Sequence, residues 1–360
     1  MIKLFEPHIS NDEIYAATSI LKSKFWASGG GVQKVSEFEE KFQKFVCTKK
    51  CVAVSNGSAA LTLALSMFNI KNKEVLVPSL TFVSTVHAII ENGGKPIFVD
   101  VDPSDLCMSI NDLNDKISKK SSMILPVHFG GIPCDLDKIK KIAKNYSLSV
   151  VEDAAHACGA SFNSKKIGSH SDAVCFSFHP VKNLAMPSGG AICINTKNPT
   201  NFVNDLKSKR WCGIKNRKGY DYDVSKLGWN YYMNEISAAI GIAQLKKLPK
   251  LNNFRKKIAK AYHDELKVSE KMPFQKNSSY HLYWISVKNR DDFMKKMKKS
   301  GIETGIHYNP VHKMTMYKKF KAVLPITEKI SKNIVSLPIH PNLTDKEIYF
   351  IIDTVNKNLN

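Results

Sequence analysis

The feature that most constrains this chain is the alternation, through its first two thirds, of short apolar, β-branched runs with amphipathic stretches. Val75-Leu76-Val77-Pro78, Pro96-Ile97-Phe98-Val99-Asp100, Met123-Ile124-Leu125-Pro126-Val127 and Ser149-Val150-Val151-Glu152-Asp153 are apolar at successive positions. A strand carries such a run when both faces of its sheet are covered. Between them, residues 83–92, 110–118 and 136–145 have helical periodicity. Parallel neighbours need a right-handed crossover, so the pattern predicts an α/β fold with a mainly parallel central sheet flanked by helices. Two further runs, 173–178 and 190–195, lie too close for a helix between them and are expected to be joined by a loop.

After Asn234 the texture changes. Residues 235–246 read as a helix with small residues on its buried face, and 248–266 as a second, lysine-rich amphipathic helix. Residues 280–287 alternate like a half-buried strand, and 346–355 read as a terminal helix. The expected division is a large α/β domain over residues 1–245 and a smaller C-terminal α+β domain over 246–360.

Composition then narrows the class. With 43% hydrophobic and 24% charged residues the chain is globular rather than disordered or a disulfide scaffold. The net charge of +21 raises the possibility of a polyanionic partner. Only four of the 53 basic residues are arginines, however, and phosphate or base recognition favours the planar guanidinium fork. The lysines fall on amphipathic faces, as in 245–260 and 291–299, and read as solvated helix surface. A basic nucleic-acid-binding or regulatory protein is therefore the weaker reading, and no nucleic-acid partner is expected. The longest apolar runs, such as 59–67, are far short of the roughly 18 to 20 residues of a membrane span. Residues 1–7 lack a continuous apolar segment followed by a small-residue cleavage site, so a cytoplasmic protein without a membrane partner is expected. The eight cysteines form no CxxC pair and read as reduced, small hydrophobes, with no metal site.

Three segments carry chemistry. In Val52-Ala53-Val54-Ser55-Asn56-Gly57-Ser58-Ala59-Ala60-Leu61 a strand passes through a small-residue turn into a helix, whose first N–H groups form an anion site. The turn has neither P-loop nor dinucleotide glycine spacing, which also disfavours a nicotinamide-dependent dehydrogenase. Glu152-Asp153-Ala154-Ala155-His156 ends an apolar strand, at the sheet edge where ligands of open α/β sheets bind. In Phe176-Ser177-Phe178-His179-Pro180-Val181-Lys182-Asn183 a lysine lies in the loop after a buried strand, ahead of Gly189-Gly190. A partly desolvated lysine has a lowered pKa, and its neutral amine can form a Schiff base with a carbonyl. A phosphate-cradling turn, a strand-end aspartate and a strand-end lysine are the parts needed to hold pyridoxal 5′-phosphate.

The same residues resemble the DegT/StrS-type sugar aminotransferases, pyridoxal-phosphate enzymes of the aspartate-aminotransferase fold (fold type I) that act on nucleotide-linked keto sugars. The resemblance runs in order through residues 25–29, 55–61, 78–85, 152–156, 177–183, 227–230 (Leu-Gly-Trp-Asn), 233–236, 307–312 and 336–338, nearly the whole chain. It implies Lys182 as the Schiff-base lysine and proton carrier, Asp153 as partner of the pyridinium nitrogen, and His156 as a contact of the phenolic oxygen. It further implies Gly57, Ser58, Ala59 and Ser177 around the phosphate, and Phe82 stacked on the ring. In this family an asparagine of the neighbouring subunit reaches the phosphate, and Asn230 stands at that position, so a homodimer with shared active sites is implied. The implied reaction moves an amino group, with glutamate as donor, onto a nucleoside-diphosphate keto-deoxysugar for amino-sugar and surface-glycan biosynthesis. Family dehydratases carry histidine in place of the lysine, so Lys182 favours transamination over dehydration. Two positions depart from the family: Tyr232 replaces its usual arginine, and Pro187-Ser188 replace its usual Gly-Glu. Both bear on the substrate more than on the cofactor. Arg210, Tyr232, His307, Tyr308 and His312 are the candidates for substrate contacts.

Overall fold

The computed structural model describes residues 1–359. The strands in the first two thirds are β1 (Lys50–Val54), β2 (Glu74–Pro78), β3 (Lys95–Val99), β4 (Ser121–Ile124) and β5 (Ser149–Asp153). A small hairpin follows, β6 (Ser161–Phe162) and β7 (Lys165–Lys166), and then β8 (Ala173–Ser177) and β9 (Gly190–Ile194). Seven of them form one sheet in the order β1-β9-β8-β5-β4-β2-β3. The pairs β2·β3, β2·β4, β4·β5 and β5·β8 are parallel, whereas β9 runs antiparallel to both neighbours. That exception follows from the short loop after β8, because a strand returned without a crossover must pair antiparallel.

Strand periodicity sends alternate residues to opposite faces, and each face has its own core. Val75, Val77, Val151, Cys175 and Ile192 pack into one cluster. Leu76, Val150, Val174, Phe176 and Ala191 pack into the other. The crossover helices form at Ser84–Glu91, Ile110–Lys116 and Leu136–Tyr146, so the α/β fold expected from the alternation is the fold observed.

The region after Asn234 differs in one respect. Residues 235–265 form a single helix that runs through Pro249, where the sequence pattern read two. Proline removes one backbone hydrogen bond and usually ends a helix. Here Leu245, Leu248 and Leu251 are all buried around it, and core packing carries the helix past the missing bond. Residue 246 lies inside this helix. Ahead of it lies a largely exposed hairpin, β10 (Ile214–Lys218) and β11 (Asp221–Val224). Beyond it β12 (Tyr283–Ser286) pairs antiparallel with β13 (Ile334–Leu337), flanked by the helices Arg290–Lys299, Pro325–Asn333 and Asp345–Lys357. These strands form a separate two-stranded sheet. The N-terminus straps onto this region through an Ile2–Ile302 bridge and a Leu4 N–H to Glu303 bond of 3.0 Å. Among the described residues no helix is long and apolar enough to cross a membrane.

Candidate active site

At the C-terminal ends of β5 and β8, and at the start of the helix after β1, lies a cavity of about 400 Å³. Its wall includes Gly57, Ser58, Phe82, Asp153, His156, Ser177, Lys182, His307 and Tyr308, nine of the residues singled out in the sequence.

Helix α1 of the site (Gly57–Leu65) begins at Asn56, whose side chain caps it by accepting the Ala59 N–H at 2.8 Å. The N–H groups of Gly57 and Ser58, one turn too early for an intrahelical acceptor, remain directed to the helix mouth. Ala59 differs from its neighbours: its N–H is committed to the cap and it does not line the cavity. Gly57 is required sterically, since a Cβ there would come 2.7 Å from Ser177 Cβ. Gly190 is required in the same way, because a Cβ would strike the Asn56 carbonyl carbon at 2.6 Å. The result is a backbone cradle backed by a helix dipole and edged by the Ser58 and Ser177 side chains.

Asp153 is the last residue of β5 and is buried. Its Oδ2 accepts the Thr85 hydroxyl at 2.7 Å and its Oδ1 the Ala155 N–H at 3.0 Å. Because Thr85 gives its proton to the carboxylate, its own oxygen accepts from Thr81 at 2.8 Å. Burial nevertheless pushes the Asp153 carboxyl above its ordinary range, with the hydrogen bonds and the Lys182 charge opposing. A cationic N–H placed against it would relieve that cost. The neighbouring Glu152 points to the other face of β5, where its Oε2 lies 2.7 Å from His128 Nε2. His128 Nδ1 accepts the Cys134 N–H at 3.0 Å, so the ring donates from Nε2 to Glu152. Of the two carboxylates, only Asp153 reaches the cavity.

Lys182 follows β8 in a turn closed by its N–H to the His179 carbonyl at 2.8 Å. Burial lowers its pKa from the usual 10.5 to about 8, and the Asp153 charge works against that fall. Its Nζ lies 3.2 Å from His281 Nε2. His156 is buried and held well below its ordinary pKa, by burial and then by the Lys182 charge. Its Nδ1 accepts the Gly130 N–H at 3.3 Å, which leaves the ring proton on Nε2 and makes His156 the donor in its 3.0 Å bond to Tyr308. Phe82 is 56% exposed at the mouth, with its ring 6.0 Å from that of Tyr308. His307 Nδ1 is bonded to Ser336 at 2.9 Å, and burial lowers its pKa to about 4.

The other sequence-selected residues lie elsewhere. Arg210 is fully buried and does not face the cavity: it donates to Glu39 and to the Ala53 carbonyl, both at 2.8 Å, and to the Gly30 carbonyl at 3.2 Å. Its Nη1 and Nη2 are committed to these fold contacts, its Nε is buried without a partner among the described residues, and in the single chain it stays outside the cavity lining. His312 also stays outside the cavity lining: its Nδ1 lies 2.6 Å from the Ser79 hydroxyl and its Nε2 3.3 Å from Glu328. Asn230 is exposed and Tyr232 half-buried, and neither lines the cavity of the single chain. Ser188, one of the two family departures, donates to the Ser55 carbonyl and so braces the turn before the cradle. Sequence reasoning assigned no role to Phe5 or His281, and Thr81 and Thr85 stood in the matched segment 78–85 without one. His281 is a lone histidine opening an apolar run, and that placement was its only signal.

The chain matches PseC of Helicobacter pylori, an aminotransferase of pseudoaminic acid biosynthesis, with a TM-score of 0.93 at 26% identity over 99% of this chain and 98% of that one. It matches the PLP-form of Streptococcus pneumoniae Spr1654, assigned as a sugar aminotransferase, with a TM-score of 0.92 at 26% identity over 99% and 97%. GDP-perosamine synthase of Escherichia coli O157:H7 is 31% identical over 363 residues, covering 99% of this chain and 98% of that one. Taken with these similarities, the fold and cavity define a sugar aminotransferase. The chain belongs to the DegT/DnrJ/EryC1/StrS aminotransferase family, whose family model matches residues 7–356.

Proposed function

We propose that this chain binds pyridoxal 5′-phosphate in the cavity and transfers an amino group, with L-glutamate as donor, to the keto carbon of a nucleoside-diphosphate keto-deoxysugar. The observation that carries the reading is the convergence of Lys182, Asp153 and an open helix N-terminus on one cavity. The residues suit the cofactor chemically: the Gly57–Ser58 backbone and the Ser177 hydroxyl match a phosphate, and the buried Asp153 carboxylate matches a protonated ring nitrogen. Bound there, pyridoxal phosphate supplies a carbonyl that exchanges amines and a ring that holds the electron pair released at the amine carbon. Lys182 brings a neutral amine near physiological pH and, once free, moves a proton at its Nζ. Asp153 holds a proton at the ring nitrogen, and Thr85 with the Ala155 N–H fixes the carboxylate for it. His156, a neutral Nε2 donor, and Phe82 at the mouth would flank the ring. Lys182 also separates this reading from the family's sugar dehydratases.

The working unit is proposed to be a cytoplasmic homodimer in which Asn230 of one subunit completes the site of the other. Mixing Lys182→Ala subunits with Asn230→Asp subunits should restore activity in mixed dimers; verified mixed dimers without activity would remove the shared site. For the reaction itself, protein loaded with the cofactor should lose its yellow colour on addition of L-glutamate and release 2-oxoglutarate, and a keto-sugar nucleotide should restore the colour. Colour that persists with glutamate and with other amino acids would contradict aminotransfer.

A further inference from the structure

His281 belongs to none of the segments that carry the resemblance, yet its Nε2 is 3.2 Å from Lys182 Nζ. We propose that His281 is the positioning residue of Lys182: its neutral imidazole accepts an N–H of Nζ, aims the amine at the cavity and helps set the pH at which that amine becomes nucleophilic. The inference rests on the reading of Lys182 as the reacting amine.

Three observations carry it. The first is the direction of the hydrogen bond. A lysine ammonium has no lone pair, so while Lys182 is charged Nε2 must accept and the ring proton must sit on Nδ1. Burial holds His281 well below its ordinary pKa, with the Lys182 charge adding to the effect, so the ring stays neutral and able to accept.

The second is that the ring has no competing task. It stacks on Phe5 with centroids 5.4 Å apart and lies 4.4 Å from the His156 ring. Its Nδ1 is buried without a hydrogen-bond partner among the described residues. A phenylalanine would fill the same stack without an unpaired polar atom, so packing alone does not account for a histidine.

The third is that the backbone fixes both partners to one another. The His281 N–H donates to the Gly130 carbonyl at 2.9 Å, while the Gly130 N–H holds His156. Asn183, next to the lysine, donates to the Ser279 carbonyl at 2.7 Å, which ties the lysine loop to the strand approach that carries His281. Gly131 has φ +98°, and a Cβ there would meet the Tyr280 nitrogen at 2.9 Å, so this seam admits only glycine.

The other titratable groups facing the pair are Asp153, which favours the ammonium, and His156, His179 and His307, each lowered by burial; the Arg255 charge also disfavours a proton on His281. None of these supplies a second neutral acceptor to Nζ within hydrogen-bond distance.

The test is competitive labelling of the cofactor-free full chain with acetic anhydride across pH, reading Lys182 by peptide mass spectrometry. The wild type should show a labelling midpoint near pH 8. His281→Phe keeps a stacked ring but removes the acceptor that favours the ammonium, so its midpoint should fall by about one pH unit, a tenfold change. His281→Gln keeps an acceptor oxygen and should return the midpoint toward the wild type. Should His281→Phe not fold, His281→Leu makes the same deletion of the acceptor. An unchanged midpoint in the apolar variant, or equal shifts in the apolar and Gln variants, would overturn the proposal. Because labelling needs no cofactor, a protein that couples Lys182 to His281 yet captures no pyridoxal phosphate would refute the reading of the cavity and leave the coupling standing.

Discussion

The floor of the cavity and the outer side of the chain that bears Asn230 follow different rules. At the floor, Asp153, Thr85, His156 and Lys182 are each held by hydrogen bonds to groups of this same chain. On the outer side, Tyr220 is fully exposed and Leu227 is 79% exposed, and Asn230 and Tyr232 reach no part of the cavity. The floor is thus built within one chain and includes two of the substrate candidates, His307 and Tyr308, whereas Asn230, tied by resemblance to the partner subunit, and Tyr232 do not line the cavity of the single chain. The proposed dimer is the setting in which that side would acquire its role.

Substitutions can break this comparison at graded depths. The largest effect is expected from Arg210→Ala, which leaves the buried Glu39 with only the partly exposed Lys207 at 3.4 Å as cation and strips the Ala53 and Gly30 carbonyls of their donor. Removing one partner of a buried pair costs about 3–5 kcal/mol, measurable by urea denaturation, while the fraction that stays folded should capture cofactor as the wild type does. Normal stability with a raised KM for the sugar substrate would return Arg210 to the substrate site. Next, Asp153→Asn should slow turnover by a factor on the order of 10². It should also lower the Lys182 midpoint below about 8, because the Asp153 charge is what raises the lysine's pKa against burial. The sign matters: neutral amine appears as pH rises through the midpoint, so at pH 7 the Asn variant should bind cofactor faster while turning over more slowly. A midpoint that moves upward would mean that the two side chains do not face each other. The smallest effect is expected from Gly57→Ala, whose Cβ must displace Ser177. Overpacking of this kind costs about 1–3 kcal/mol, and titration should show cofactor affinity reduced by about tenfold. Unaltered affinity would move the phosphate away from the cradle.

Most of the fold was legible because buried parallel strands are written as uninterrupted apolar runs. Val75–Pro78 and Ser149–Asp153 fell within a residue of the strands observed, and the short spacing between 178 and 190 forecast the loop before the antiparallel β9. The helix through Pro249 was not legible, since local chemistry argues for a break and only distant packing overrules it. In the site, Lys182, Asp153 and the Gly57 turn could be read because each sits at the end of its own strand. Thr85, 68 residues from the Asp153 it supports, and His281, 99 residues from Lys182, could not. Their roles exist only once the sheet has brought separate loops to one edge. Arg210 and His312 show the converse: both stand at matched family positions, yet in the single chain their hydrogen bonds go to groups outside the cavity lining.

The central claim is that Lys182 is the amine that takes the cofactor. The most direct measurement is borohydride reduction of the protein after incubation with pyridoxal phosphate, followed by peptide mass mapping. One adduct on the peptide containing Lys182, absent in Lys182→Ala, is the predicted result. An adduct spread over the other lysines, or one that survives in Lys182→Ala, would contradict it.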